Sequence, residues 1–104
     1  MKYVYLVMFD WAVDDASAVE ITAYGNYDDA YTKFKEIIAD EMNPDLSWVG
    51  GLEFDENGDL LTEGYTQDYD DNNSGDSEVY WSISEEGNYT SRHSNVEIRI
   101  LKIL

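Results

Sequence analysis

Cysteine is absent from this 104-residue chain, which removes a disulfide framework, a thiolate nucleophile and a cysteine-held zinc from the possible chemistries. Histidine occurs once, at His93, beside a strand-like segment. A nucleophilic triad needs more context than one histidine supplies, so His93 reads as an ordinary surface residue. The glycines at 50, 51 and 58 fit neither the G-x-G-x-x-G pattern nor the P-loop. No apolar run approaches the roughly 18 residues of a membrane span. The N-terminal "MKYVYLVMFDWAVDD" lacks a small-residue cleavage site after its apolar part, so the expected chain is cytoplasmic and unprocessed.

The scarcest commodity is positive charge. Six Lys and Arg stand against 23 Asp and Glu, a formal charge of −17. Between Lys35 and Arg92, residues 36 to 91 hold 16 acidic side chains and neither Lys nor Arg. Direct nucleic-acid binding is opposed by this balance, because affinity for phosphates comes from basic side chains. Carboxylates are so numerous that no pair stands out as general acid and base, and the expectation is a non-enzymatic protein without a cofactor. Solubility alone asks for a net charge of only about 2–8 in a small domain, and the excess works against compactness through self-repulsion.

What is present argues for a folded domain all the same. Disordered acidic chains are poor in aromatics, whereas this one has nine Tyr, three Trp and three Phe within 43% hydrophobic residues. One domain over 1–104 is expected. "KYVYLVMFD" (2–10) is apolar on both faces, as a strand near the middle of a sheet would be. "WAVDDAS" turns the chain into "AVEITAY" (18–24), where Val19, Ile21 and Ala23 alternate with Glu20 and Thr22 as in a half-exposed strand, which makes a hairpin.

"NYDDAYTKFKEIIADEM" carries the helix signal: Asn26 as cap, Asp28 and Asp29 in the first turn, and Ala30, Phe34, Ile37 and Ile38 on one face. Pro44 follows as a stop. "GLEFDENGDLLTEGYT" predicts two short strands around Asn57-Gly58, and "EVYWSIS" and "NVEIRILKIL" predict a second hairpin with Val79, Trp81, Ile83, Val96, Ile98 and Ile100 inward. The predicted fold is α+β: an antiparallel sheet of four to six strands with one helix on one face, in the order ββα followed by further strands.

Three readings compete for the acidic stretches. In "EFDENGDLL", Gly58 at the sixth position of a calcium loop puts Glu53, Asp55 and Asn57 at ligand positions, but Gly64 falls where a bidentate glutamate is required and the flanks are strand-like. A turn on "ENGD" accounts for the same residues. "TQDYDDNNSGDSEVYW" (66–81) fails the same test at Trp81, and a plain solvated loop over 68–78 is the bland alternative. The third reading makes the charge itself the ligand. Carboxylates at alternate strand positions lie about 7 Å apart, close to the spacing of phosphates along a backbone. Asp55, Glu56, Asp59, Asp68, Asp70, Asp71, Asp76 and Glu78 supply such charge, with Tyr65 and Tyr69 as flat surfaces that pack against Arg or fill a slot meant for a base.

In size, charge and sheet-plus-helix pattern, and above all in "DENGDLLTEGYTQDYDDNNSGDSE", the chain resembles the small acidic anti-CRISPR and anti-restriction proteins of phages and mobile elements that imitate nucleic acid. The resemblance rests on no diagnostic motif and transfers no residue roles. It implies an inhibitor whose acidic face occupies a basic, nucleic-acid-binding surface of a partner such as a CRISPR effector or another defence nuclease. A divalent-cation-binding domain and an acidic immunity-type partner of a basic toxin are the alternatives.

Overall fold

In a computed structural model of the chain, which describes residues 2–71, 78–86 and 92–103, the predicted α+β architecture is present. Strands β1 (Lys2–Val13), β2 (Ala16–Tyr24), β3 (Tyr65–Asp70), β4 (Val79–Glu85) and β5 (His93–Ile103) form one antiparallel sheet in the order β2-β1-β5-β4-β3. Helix α1 (Tyr27–Glu41) and a short 3-10 turn (Trp48–Gly51) lie between β2 and β3 in sequence. β1, apolar on both faces, is paired on both sides, with β2 and β5.

Local chemistry explains most of the boundaries. Val13 pairs with Ala16 across a two-residue turn, where Asp14 adopts φ 54, a left-handed conformation that Asp tolerates. Asn26 caps α1 by accepting from the Asp29 amide at 2.9 Å. The helix ends at Glu41, ahead of Pro44. Ala30 and Phe34 are fully buried, and Ile37 and Ile38 pack against the same core.

That core lies between α1 and one face of the sheet. Val7, Val79, Trp81, Ile83, Val96 and Ile98 are buried there, and the register aligns Thr22, Val7, Ile98 and Val79 in one row. Gly50 lets the 3-10 turn close on the segment after α1: a Cβ there would stand 2.3 Å from the Asn43 carbonyl carbon and 2.3 Å from the Pro44 nitrogen. Both are backbone atoms, so Gly50→Ala is expected to cost about 1–3 kcal/mol through forced backbone shifts. A thermal melt unchanged from the parent would show that the two segments separate without cost.

Two expectations change. The strands predicted around Asn57-Gly58 reduce to a single bridge, Phe54 with Leu60, because Asp55 folds the segment on itself: its Oδ1 accepts from the Asn57 and Asp59 amides at 2.8 and 2.9 Å, and Gly58 takes φ 83. Conversely, residues 68–70, for which a solvated loop over 68–78 is the bland alternative, belong to edge strand β3, which runs along β4. Pairing with a strand anchored by Val79, Trp81 and Ile83 outweighs the weak strand preference of Asp.

Candidate functional site

Among the described residues, helix α1 covers one face of the sheet and no element covers the other. Alternation along β3 puts Tyr65, Gln67 and Tyr69 on the helix side and Thr66, Asp68 and Asp70 on the open face. Asp68 and Asp70, both exposed, stand about 7 Å apart on that face. The register extends them into rows. Asp70 is opposite Tyr80 and Tyr80 opposite Glu97; Asp68 is opposite Ser82 and Ser82 opposite Asn95. Asn95 donates to Asp10 Oδ1 at 2.9 Å, and His93 Nε2 lies 3.2 Å from Asp10 Oδ2.

The result is an aromatic ring, Tyr80, 41% exposed, standing between Asp70 and Glu97 with Ser82 next along the same face. The three ion pairs among the described residues engage Asp14, Asp10 and Glu97, so Asp68 and Asp70 take part in none of them. A flat amphipathic ring beside two uncompensated carboxylates suits a guanidinium, which stacks on the ring and is held by the charge.

The residues singled out from sequence do not share this face. Asp55 is occupied by its own turn, and Asp59 lines a cleft between α1 and β3 with Lys35, Ile38, Met42, Tyr69 and Trp81. Gln67 fastens that turn to the helix side, donating to the Gly58 carbonyl at 3.0 Å and accepting from the Leu60 amide at 2.9 Å. Glu56 is exposed within the turn. Tyr65 is half-buried against Trp48, with ring centroids 5.8 Å apart. Glu78 is exposed just before β4, and Asp76 lies outside the described residues. The expected continuous row is therefore split: Asp68 and Asp70 face one way, while Asp59 and Tyr69 lie on the helix side.

Asp71, just after β3, sits in a tyrosine cluster. Its Oδ2 accepts from Tyr31 Oη at 2.7 Å and from Tyr69 Oη at 2.8 Å. Tyr31 stacks on Tyr27 and Phe34, and Lys35 Nζ lies 5.6 Å from the Tyr31 ring centroid. Burial, then the Asp71 carboxylate, raises the pKa of Tyr31 and Tyr27 and pushes Tyr69 up to about 12. The fold thus favours the protonated phenols. Their stabilising contribution is fully present below the ordinary tyrosine value of 10.0 and is lost as pH rises through the raised values. Asp71→Asn is expected to bring the phenolate absorbance of two tyrosines down towards the ordinary range. A titration curve identical to the parent's would show that Asp71 does not hold them.

Sequence reasoning missed Tyr27, Tyr31 and Tyr80. The first two were legible in the i, i+4, i+7 spacing of Tyr27, Tyr31 and Phe34; Tyr80 was hidden because "VYWSIS" is read most readily for its buried side. Among the described residues no three His, Asp or Glu side chains converge as a metal site would require, and no helix is long and apolar enough to cross a membrane. Comparison with family models, curated proteins and solved structures finds no match to this chain.

Proposed function

We propose that this protein is a non-enzymatic binding protein whose acidic open face, centred on Asp68, Asp70 and Tyr80, occupies a basic, nucleic-acid-binding surface of a partner protein and inhibits it. The observation that supports the reading most directly is the pairing of uncompensated charge with ordered structure. Asp68 and Asp70 are not on a floppy tail; they stand on a strand hydrogen-bonded into the sheet, at fixed spacing, next to an exposed aromatic ring. Fixed charges lose little freedom on binding, and carboxylates at this spacing complement Lys and Arg arrayed to track a phosphate backbone.

Anti-CRISPR or anti-restriction activity of phage origin is the specific form this reading takes, and the cytoplasm is the compartment it implies. The test is competition. The immobilised protein should retain a basic nucleic-acid-binding protein from a host extract, release it as salt rises, and lose it to added DNA or RNA. A retained partner that binds nucleic acid and this protein simultaneously, with no loss of affinity for either, overturns the reading.

A further inference from the structure

On the helix side of the sheet, β1, the end of α1 and the 3-10 turn form a cavity of about 340 Å³. Its walls are largely aromatic. Phe9 and Trp11 come from alternate positions of β1, about 7 Å apart on one strand face, and Trp48 comes from the 3-10 turn. Leu46, 64% exposed, also lines it. The close approach of Gly50 to the backbone of Asn43 and Pro44 sets that turn, and with it Trp48, against the segment after the helix.

One lining group is out of keeping with the rest. Glu41, the last residue of α1, is only 8% exposed, the one buried carboxylate among the described residues. Its Oε1 accepts from Ser94 Oγ at 2.6 Å, and Ser94 is directly opposite Trp11 in the β1–β5 register, so the bond brings the carboxylate beside that ring. None of the three ion pairs among the described residues includes Glu41. Lys33 lines a neighbouring cavity that Glu41 shares but makes no ion pair with it, and Arg92, two residues before Ser94, is turned to Asp14 at 3.4 Å. The last turn of α1 carries no basic side chain, so the negative end of the helix dipole adds to the same charge. A carboxylate buried without a counter-charge attracts a cation strongly, because its surroundings screen it little.

We propose that this cavity binds a quaternary ammonium group, with the rings of Phe9, Trp11 and Trp48 against its methyls and Glu41 as its counter-charge. Hydrogen-bond arithmetic separates this ligand from other cations. A guanidinium brings five N–H donors and a primary ammonium three. The lining side chains offer them only Glu41, one oxygen of which holds Ser94, and Ser47, whose Oγ holds the Val49 amide at 3.2 Å. A quaternary ammonium has no donor to satisfy and is attracted to aromatic faces. Magnesium or calcium asks for about six oxygens, which this lining does not supply. The volume lies at the lower end of the range of about 300–1,000 Å³ for ligand sites, which suits a cation of the size of choline. The inference does not rest on the proposed function, because the cavity lies on the other face of the sheet from Asp68, Asp70 and Tyr80.

Titration with choline, followed by two-dimensional NMR at physiological salt, tests the site under conditions that screen diffuse attraction to the −17 chain. The indole N–H signals of Trp11 and Trp48 should move and saturate with a Kd on the order of 1 mM, while Trp81, which lines the separate cleft between α1 and β3, stays in place. Dimethylbutanol, the uncharged carbon analogue of choline, and methylguanidinium should each bind about tenfold more weakly. Glu41→Gln keeps an acceptor for Ser94 and removes the charge. It should weaken choline about tenfold, leave the alcohol unaffected and hold or raise the melting temperature. Trp11→Leu should weaken choline as well, and carries the test if Glu41→Gln disturbs the fold. A trimethyllysine peptide run beside choline distinguishes a modified protein side chain from a free solute as the source of the same group. No saturation by choline or the peptide overturns the proposal. So does equal affinity for choline and either control, or choline binding that both variants leave unchanged.

Discussion

Phe34→Ala is expected to cost about 3–5 kcal/mol of folding stability, among the largest effects of a single truncation in the described core. Phe34 is fully buried, stacks on Tyr31 with centroids 6.0 Å apart, and is the largest wholly buried side chain that α1 contributes to the core. The whole stability of a domain this size is about 5–15 kcal/mol, and the self-repulsion of 23 carboxylates places this one under an additional load. The variant should therefore be largely unfolded at low ionic strength and partly rescued by monovalent salt, which shortens the range of the repulsion. Urea unfolding checks both statements. The midpoint should fall with the slope unchanged, and it should recover partly as salt is raised. A midpoint within about 1 kcal/mol of the parent, after conversion by the slope, would mean that the core collapses around the cavity.

The fold was legible where side-chain periodicity reports burial. Ala30, Phe34, Ile37 and Ile38 fixed the packed face of α1, and Val79, Trp81, Ile83, Val96 and Ile98 fixed the inner face of the second hairpin, because each pattern has one side that can only be core. β3 was less legible. "YTQDYD" has no apolar side of its own, and its strand state comes from β4, a neighbour beyond residues 72–77. β2 misleads in a different way: alternation shows that Val19, Ile21 and Ala23 share a side, but which side meets the helix depends on how β1 and β5 are placed.

The candidate site was legible as charge and illegible as geometry. Asp68 and Asp70 were identified with Asp71, yet Asp71 turns back to Tyr31 and Tyr69 while the other two face outward. Tyr69 illustrates the same limit. Its position within "DYDD" suggested an interface residue, but its hydroxyl is bound to Asp71, and the exposed ring beside Asp68 and Asp70 belongs to Tyr80 on the neighbouring strand. Cross-strand neighbours cannot be read without the register.

That difference sets the outcome of the decisive binding comparison. Asp68→Asn together with Asp70→Asn removes two like charges from exposed strand positions, and stability should hold or rise slightly. Association with the proposed basic partner should slow by about tenfold at low salt, with a shallower salt dependence, because these groups act at long range before contact. Tyr80→Ala should leave association nearly unchanged and speed dissociation, with a loss of about 2 kcal/mol if the ring is a packed anchor. Tyr69→Ala, which removes a ring engaged with Asp71, should alter binding much less than Tyr80→Ala although both residues are exposed. Stopped-flow or surface-based kinetics at two salt concentrations separates these effects. If the double amide variant associates at the parent rate while Tyr69→Ala dissociates faster, the partner sits on the helix side, and Glu56, Asp59 and the α1 carboxylates Glu36 and Asp40 become the charges that steer it.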